Sequence, residues 1–245
     1  MFKAEIKSET LKGIVYVIST LVDEVKLSIR PDSVTLKAID PAHVAMSEIT
    51  VSSRAFLSFS ADESEIGLDL DKVKSVLKLA GPGDMVFLEH DPDQGRLIFR
   101  IGNITRRMSL VDTASMSNPK IPEINTSADV TLKVDSLKKG ISASESISDH
   151  ISLEASPDGF RLACEGDTDM ADLYIPKSDL DGLKCESKVV SKYPLDYFSN
   201  IVKVIPAGTI VTIKLDNDYP MELLFKLAEG TADVLYLLAP RIESE

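Results

Sequence analysis

The tripeptide Lys12-Gly13-Ile14 recurs as Lys139-Gly140-Ile141, and this repetition decides the fold of the 245-residue chain. Further matches at nearly the same displacement are Pro31-Asp32 with Pro157-Asp158, Lys78 with Lys203, and Gly83 with Gly208. The displacements, 125 to 127 residues, equal about half the chain and are far longer than the repeat of a solenoid. The sequence therefore predicts two tandem domains of similar structure.

Each half carries the same succession of helical and alternating patterns. In the first half, helical spacing of apolar residues precedes the alternation Val25, Leu27, Ile29, which is typical of a strand with one buried face. We predict helices over 8–22, 71–80, 135–147 and 194–205, with Asp135 as an N-cap residue. Predicted strands cover 4–7, 25–29, 34–38, 85–89, 97–101, 105–111, 130–134, 151–155, 160–164, 209–215, 221–227 and 233–238. The fold class is α+β, with domains 1–111 and 127–245 joined by a surface linker, 112–126.

Composition excludes several classes of protein. The chain has 39 acidic and 27 basic residues and a net charge of −12, so it is not a generally basic nucleic-acid coat. No apolar run reaches the roughly 18 residues that a membrane span needs. Cys164 and Cys185 form no CxxC pair, which favours a reducing compartment.

The four predicted helices differ in charge from the rest of the chain. Their 50 residues carry a net charge of +2, which leaves −14 on the other 195. Their seven lysines are Lys12, Lys72, Lys74, Lys78, Lys138, Lys139 and Lys203. Lysines on the polar face of a single helix are ordinary solvated residues. The same bias in four helices predicts a mildly positive surface on an acidic body, provided that the helices share one face.

Four segments resemble the proliferating cell nuclear antigen (PCNA) family of DNA sliding clamps, and the resemblance runs in order over the whole chain. They are Met1-Phe2-Lys3-Ala4, the segment Ala38-Ile39-Asp40-Pro41-Ala42-His43-Val44-Ala45-Met46, Ile121-Pro122-Glu123, and Leu238-Ala239-Pro240-Arg241-Ile242-Glu243. The short linker and the end just after the last motif resemble archaeal members more than eukaryotic ones. The resemblance implies the two-domain clamp fold, a location on chromosomal DNA in the archaeal cytoplasm, and no enzymatic activity, cofactor or metal.

The resemblance also implies a homotrimeric ring with helices inside, antiparallel sheets outside and duplex DNA in the central hole. Twelve helices spaced by about 10 Å would enclose a hole of roughly 28 Å. The seven helix lysines would face the DNA, but only through water, so the ring would be retained by topology rather than by affinity. Ser19, Ser75 and Ser142 would lie on the hole-facing sides of their helices, where members of the family often carry a basic residue. The DNA contact is therefore predicted to be weaker than in more basic relatives.

Two strands correspond to the subunit-contact edges of the family, Asn103 to Leu110 and Ala171 to Pro176. The interface residues implied are Ile104, Arg106, Arg107, Met108, Leu110, Asp172, Leu173, Tyr174 and Ile175. Head-to-tail pairing of the two edges would satisfy their backbone groups, and Arg106 or Arg107 could meet Asp172 across the junction. The alternative is that both are interior strands of their own domains.

A hydrophobic pocket for short client peptides is the second site that the resemblance implies. Its residues are Ile39, His43, Val44 and Met46 on one loop, Pro119, Ile121 and Pro122 in the linker, Pro220, and the terminal Leu237, Leu238, Ala239, Pro240, Arg241 and Ile242. The pocket would bind PIP-box peptides, which have a glutamine, an aliphatic residue and two aromatics, from DNA polymerase, flap endonuclease and DNA ligase. A clamp loader of the replication factor C type would be a further partner. For Leu238, a core position in a terminal strand is an equal alternative.

Two other functional classes remain as alternatives. An enzyme is disfavoured because the three histidines are far apart and the chain lacks HExxH, GxSxG and GxxxxGK motifs. An acidic two-domain adaptor that binds proteins without encircling DNA would explain the pocket and the net charge. It would leave the lysine distribution unexplained.

Overall fold

The computed structural model describes residues 1–114, 116 and 118–242, and these contain four α-helices and eighteen β-strands. Ser115 and Ser117 of the predicted linker and Glu243 of the terminal motif lie outside the described residues. The chain forms two compact units. Unit 1 contains residues 1–41, 46–121 and 226–234, and unit 2 contains 42–45, 122–225 and the residues from 235 onward.

Nine strands and two helices occupy the first half of the chain. The strands are β1 (Phe2–Lys7), β2 (Glu24–Arg30), β3 (Ser33–Ile39), β4 (Ala45–Ser52), β5 (Ser58–Ala61), β6 (Ser64–Asp69), β7 (Met85–Asp91), β8 (Arg96–Ile101) and β9 (Ile104–Ser109). The helices are α1 (Ser8–Ile18) and α2 (Leu70–Leu77), and Ser53–Ala55 form a short 3-10 turn.

The second half repeats this inventory in the same order. Its strands are β10 (Ala128–Lys133), β11 (His150–Ser156), β12 (Gly159–Glu165), β13 (Met170–Pro176), β14 (Gly182–Cys185), β15 (Val189–Pro194), β16 (Ile210–Leu215), β17 (Met221–Leu227) and β18 (Ala232–Leu238). Its helices are α3 (Val134–Ser144) and α4 (Leu195–Val204), with 3-10 turns at Lys177–Asp179 and Ala228–Gly230.

The two halves also share one strand order. In the first half, one antiparallel run has the order β5-β1-β7-β8-β9 and another has the order β6-β2-β3-β4. The second half has β14-β10-β16-β17-β18 and β15-β11-β12-β13 in the same positions. In each half the helices pack beside each other and contact both strand runs, burying their apolar stripes. The prediction of two tandem α+β domains is confirmed.

A duplicated contact fixes the turn after the second helix of each unit. The Glu9 carboxylate on α1 accepts a hydrogen bond from the backbone of Gly83 at 2.5 Å, and Asp135 on α3 accepts one from Gly208 at 2.7 Å. Both glycines have a positive φ, of 81° and 77°, which a residue with a side chain adopts at a cost. Asp135 was wrongly predicted as an N-cap residue: Lys133 is the N-cap, and Asp135 lies in the first turn.

The structure also corrects the register of the internal repeat. Helices α1 and α3 begin at Ser8 and Val134, so Lys12 corresponds to Lys138. The match of Lys12-Gly13-Ile14 with Lys139-Gly140-Ile141 is therefore one residue out of register. The other three matches agree with the structural repeat, since they lie in corresponding turns or at the ends of corresponding helices.

The predicted helices α1, α2 and α3 extend too far at their C-terminal ends. Helix α1 ends at Ile18 rather than at residue 22, and α2 ends at Leu77 rather than at 80. In both cases the next residues form turns in which an apolar side chain, Leu21 or Ala80, is still buried. The apolar periodicity therefore continues after the helical hydrogen bonds have stopped.

The alternation of apolar and polar residues did not predict five of the strands, β4, β5, β6, β14 and β15. In β4 the buried face carries Ala45, Ser47, Ile49 and Val51, and Ser47 is fully buried. A buried serine in the apolar register hides the two-residue period from the sequence. Ser191, also buried, has the same effect in β15.

The segment that follows β9 is attached to β6 at a glycine. The backbone nitrogen of Val111 donates to the carbonyl of Gly67 in β6 at 2.9 Å. A Cβ at position 67 would lie 2.4 Å from the carbonyl oxygen of Val111, so this close approach requires glycine.

No helix among the described residues is long and apolar enough to cross a membrane.

Candidate DNA-binding, subunit and client sites

Two of the seven helix lysines bind backbone groups in their own unit. The Nζ atom of Lys12 donates to the carbonyl of Ala80 at 2.7 Å, and that of Lys138 donates to the carbonyl of Ile205 at 2.6 Å. Ile205 is the C-cap residue of α4, where the last carbonyls of a helix lack intrahelical donors, and Ala80 lies in the turn just after α2. A lysine amine is suited to this position because it is a donor and is attracted to the negative end of the helix dipole. Lys12 and Lys138 thus connect the two helices of each unit.

Three other lysines pair with nearby acids of the same unit. The pairs are Lys72 with Asp69 at 2.8 Å, Lys74 with Asp71 at 2.7 Å, and Lys203 with Glu145 at 2.5 Å. The hydrogen bond from Lys203 lowers the pKa of Glu145, so this acid stays charged at neutral pH. Within the described part of the chain, Lys78 and Lys139 are exposed and form neither an ion pair nor a side-chain hydrogen bond. Among the residues that the structure describes, these are the two helix lysines whose amines have no protein partner.

The three serines at positions where the resemblance leads us to expect basic residues have different environments. The Ser19 hydroxyl is buried and has no hydrogen-bond partner among the described residues. Ser75 donates to the carbonyl of Lys72 at 2.7 Å, as serines inside helices often do, and Ser142 is exposed. None of them adds positive charge to the helices.

Strand β9 is the outer strand of its run and has an exposed face. Ile104 is 45% exposed, and Arg106 and Arg107 are exposed, whereas Met108 is buried at 5% and Leu110 is half-buried. The predicted interface residues of the first edge therefore fall on both faces of one edge strand. Met108 packs into the core of unit 1, so its side chain is not at a free surface.

Strand β13 is the outer strand of its run in unit 2. Tyr174 is 53% exposed, Leu173 is half-buried, and Ile175 belongs to the core. Asp172 already forms a bidentate ion pair with Arg161 on β12, and this bond lowers the pKa of Asp172. The predicted contact of Asp172 with Arg106 or Arg107 would therefore have to compete with Arg161.

Each of the two outer strands β9 and β13 has a counterpart in the other half of the chain, and these counterparts are paired strands. Strand β9 corresponds to β18, and β13 corresponds to β4, because each holds the same position in its half. Strands β18 and β4 are neighbours in the strand order. At the unit 1 end of β18, the backbone nitrogen of Ser52 donates to the carbonyl of Thr231 at 2.9 Å. Four other strands are outer strands: β5 and β14 have four residues each, and β6 and β15 have six each. The outer strands β6 and β15 each receive a backbone hydrogen bond from a later segment, from Val111 to Gly67 and from Arg241 to Lys192. The strands β9 and β13, with six and seven residues, are the candidate open edges.

Five of the predicted client-pocket residues line one cavity of unit 2. The cavity has a volume of about 640 Å³ and is lined by Val44, His150, Pro194, Ala239, Pro240, Arg241 and Ile242. The terminal segment, defined as residues 239–242, is held by two backbone bonds. Ala239 donates to the carbonyl of Val44 at 2.9 Å, and Arg241 donates to the carbonyl of Lys192 at 2.8 Å. Ile242 is 70% exposed, so its apolar side chain is available to a partner.

The remaining residues of the predicted pocket differ in their burial and in the elements to which they belong. Ile39 and Met46 are paired residues of β3 and β4 rather than members of one loop, and both are half-buried. Leu237 and Leu238 are buried core residues of β18, so they support the terminal segment without offering surface. The half-buried members are Pro119, Ile121 and Pro220, and the exposed members are His43 and Pro122.

His150 and Pro194 are cavity residues that the sequence did not indicate. They form a pair between β11 and β15, and each lies at the end of its strand. Their positions in the chain are 44 residues apart, so no local pattern connects them with the terminal segment. Only the antiparallel pairing of β11 with β15 brings them together.

Two tandem copies of one α+β unit, each with a helix pair and two antiparallel strand runs, define a protein of the DNA-clamp class. The chain belongs to the proliferating cell nuclear antigen family: the N-terminal domain of that family matches residues 1–118, and its C-terminal domain matches residues 120–241. Members of this family are sliding clamps, processivity factors without enzymatic activity.

Relatives of similar length carry the corresponding name. The DNA polymerase sliding clamp of Methanocella arvoryzae is 39% identical over 246 residues, and that of Methanosarcina mazei is 38% identical over 246 residues. Both alignments cover 100% of each chain. The resemblance to archaeal members is thereby confirmed.

Two solved structures have the same fold over nearly the whole chain. The PCNA of A. fulgidus, solved with the C-terminal region of FEN-1 bound to it, gives a TM-score of 0.94 at 30% identity and 100% coverage of both chains. The PCNA of Thermococcus kodakaraensis gives a TM-score of 0.92 at 22% identity, with 98% of this chain and 100% of that chain covered. The second likeness concerns the fold alone.

Proposed function

We propose that three copies of this chain form a closed ring around duplex DNA and hold replication and repair enzymes on it. Helices α1 to α4 of each copy would line the hole, with the sheets outside. A closed ring cannot thread itself onto circular DNA, so a clamp loader of the replication factor C type would open it. The site of action would be the chromosome in the archaeal cytoplasm.

The observation that supports the ring most directly is the pair of outer strands β9 and β13, which have six and seven residues. Their counterparts β18 and β4 are neighbours in the strand order of a single chain. A second copy can therefore supply β13 to the β9 edge of the first and reproduce an arrangement that the chain already contains. Such a contact joins two different surfaces, and a head-to-tail contact of this kind produces a ring when its rotation closes.

The charges of the helices support a DNA contact that is weak enough to slide. Five of the seven lysines are bonded within their own unit, and Lys78 and Lys139 remain. Each phosphate contact adds a salt-dependent increment to DNA affinity, so two lysines per copy give little attraction at physiological salt. Retention on DNA would then depend on the closure of the ring.

A measurement of mass in solution tests the assembly. We expect light scattering after size exclusion to give three times the 26.7 kDa of the chain at micromolar concentration. Because the proposed junction combines backbone pairing with apolar side chains, this mass should change little between low salt and about 0.5 M salt. A mass of one chain under both conditions would contradict the ring and leave the adaptor as the better description.

The tethering of clients is supported by the cavity and by one structural neighbour. The exposed Ile242 and the half-buried Ala239 and Pro240 give the cavity an apolar wall that core packing does not require. The related PCNA of A. fulgidus binds the C-terminal region of FEN-1. We therefore propose flap endonuclease, DNA polymerase and DNA ligase as clients that bind through PIP-box peptides.

Calorimetric titration of a PIP-box peptide tests the pocket. We expect Met46→Ala, Ile121→Ala and Ile242→Ala each to weaken binding by about tenfold, because truncation removes apolar contact with an aromatic side chain of the peptide. Leu57→Ala serves as the matched control, since Leu57 is an equally apolar residue with 73% exposure outside the predicted pocket. Unchanged affinity in all three pocket variants would refute this assignment.

A further inference from the structure

The terminal segment carries a side-chain contact that its counterpart in unit 1 lacks. Val111, at the end of the corresponding run in unit 1, is held by one backbone bond to Gly67, and Arg241 is held by the corresponding bond to Lys192. Arg241 has in addition a guanidinium nitrogen, Nη1, at 2.8 Å from Nε2 of His150. Val111 has an apolar side chain and cannot form such a bond. The extra contact lies at the cavity where a client peptide would bind.

The chemistry of the two groups fixes the protonation state of His150. A guanidinium has only N–H donors, so Nε2 of His150 must accept the hydrogen bond. An imidazole nitrogen accepts only when it carries no proton, and the ring proton is therefore on Nδ1. A protonated ring would place N–H against N–H and a positive charge beside Arg241. The contact thus exists only with neutral His150.

We propose that neutral His150 positions Arg241 and the terminal segment for client peptides, and that protonation of His150 weakens client binding. The inference rests on the proposed client pocket for its functional consequence. Its structural part, the anchoring of residues 239–242, can be measured without any client. His150 is a positioning residue in this scheme, since it acts on the peptide through Arg241.

The surroundings of His150 favour the neutral ring. Burial, followed by the charge of Arg241 and to a smaller extent that of Lys192, lowers the pKa of His150 below its usual value of about 6.5. Two acids, Asp149 and Asp196, oppose this effect. Because the folded pKa is depressed, the contribution of His150 to the anchored state is complete above pH 6.5 and is lost as the pH falls through the folded pKa.

The pH dependence of peptide binding tests the proposal. The probe is a capped synthetic PIP-box peptide without titratable side chains, so that only the protein titrates. For the unmodified protein we expect binding to weaken about fivefold or more between about pH 7.5 and about pH 5.5. For His150→Gln we expect less than a twofold change, because the glutamine oxygen accepts from Arg241 and does not titrate. An equal pH dependence in both proteins would overturn the proposal.

The other two histidines provide the controls. His90 lies on β7 in unit 1, so His90→Gln should keep the full pH dependence. His43 is exposed and belongs to the predicted pocket, so it is the competing candidate for any pH dependence of binding. If His43→Gln removes the pH dependence and His150→Gln keeps it, the assignment to His150 is wrong.

A second readout separates this proposal from the client pocket. We expect hydrogen exchange at the Arg241 amide, which donates to Lys192, to accelerate about tenfold beyond the intrinsic pH effect as His150 becomes protonated. In His150→Gln that acceleration should be absent. If no peptide binds at any pH but the acceleration is seen, the client pocket fails and the anchoring role stands. If the peptide binds and the amide is unaffected by pH in both proteins, the anchoring role fails.

Discussion

A mixture of two monomeric variants, Ile104→Glu and Tyr174→Glu, is expected to form a one-to-one heterodimer. Ile104 is exposed on β9, and Tyr174 is exposed on β13. Each substitution buries an unpaired carboxylate in one type of edge, which costs about 3 kcal/mol or more and weakens association over 100-fold. Either variant alone should be monomeric, since every junction of its ring would contain the damaged edge.

The mixture differs because one undamaged junction is then possible. The Tyr174→Glu variant keeps an intact β9, and the Ile104→Glu variant keeps an intact β13. These two edges can pair, but the edges left over are both damaged, so the complex stops at two chains. Light scattering of the separate and mixed variants distinguishes the cases, with Leu57→Glu as a control that should stay trimeric because Leu57 is exposed outside both edges.

Two other outcomes of the mixing experiment would contradict a junction between β9 and β13. If the junction joined two copies of the same edge, one variant alone would remain associated. If both variants alone keep the mass of the unmodified protein, β9 and β13 are not the contact edges.

The internal repeat was predictable because turn residues are constrained by the backbone. Gly83 and Gly208 both adopt positive φ and both receive a carboxylate bond from the first helix of their unit, so the same residue types recur at the same place. Individual strands were less predictable. The buried Ser47 and Ser191 interrupt the apolar alternation that identifies a strand, and no local rule indicates that a serine is buried.

The candidate sites depended even more on tertiary contacts. The lysine count predicted seven available charges, but the amines of Lys12 and Lys138 reach carbonyls that lie 68 and 67 residues further along the chain. Asp172 similarly meets Arg161, which is 11 residues away and on the neighbouring strand. Such partners are set by how the strands and helices pack. The residue types identify which groups carry charge, and packing decides which of them remain available.

Retention on DNA is expected to depend on the topology of the DNA and hardly at all on the helix lysines. After loading by an ATP-driven clamp loader, the ring should remain on a closed circular duplex through a wash in about 1 M salt, where charge interactions are screened within about 3 Å. It should leave within the dead time of the assay once a nuclease cuts the circle. The double variant Lys78→Ala, Lys139→Ala should be retained on the circle to within about twofold, because each chain loses only two weak phosphate contacts.

The variant Ile104→Glu completes this experiment, since it keeps every helix lysine and loses the junction. It should be washed off circular and linear DNA alike. An affinity-based protein would give the reverse ranking, with the lysine variant lost and the edge variant retained. Equal loss of the unmodified protein from intact and cut circles at high salt would show that DNA is not enclosed, and the two-domain adaptor would then account for the acidic surface and the client cavity.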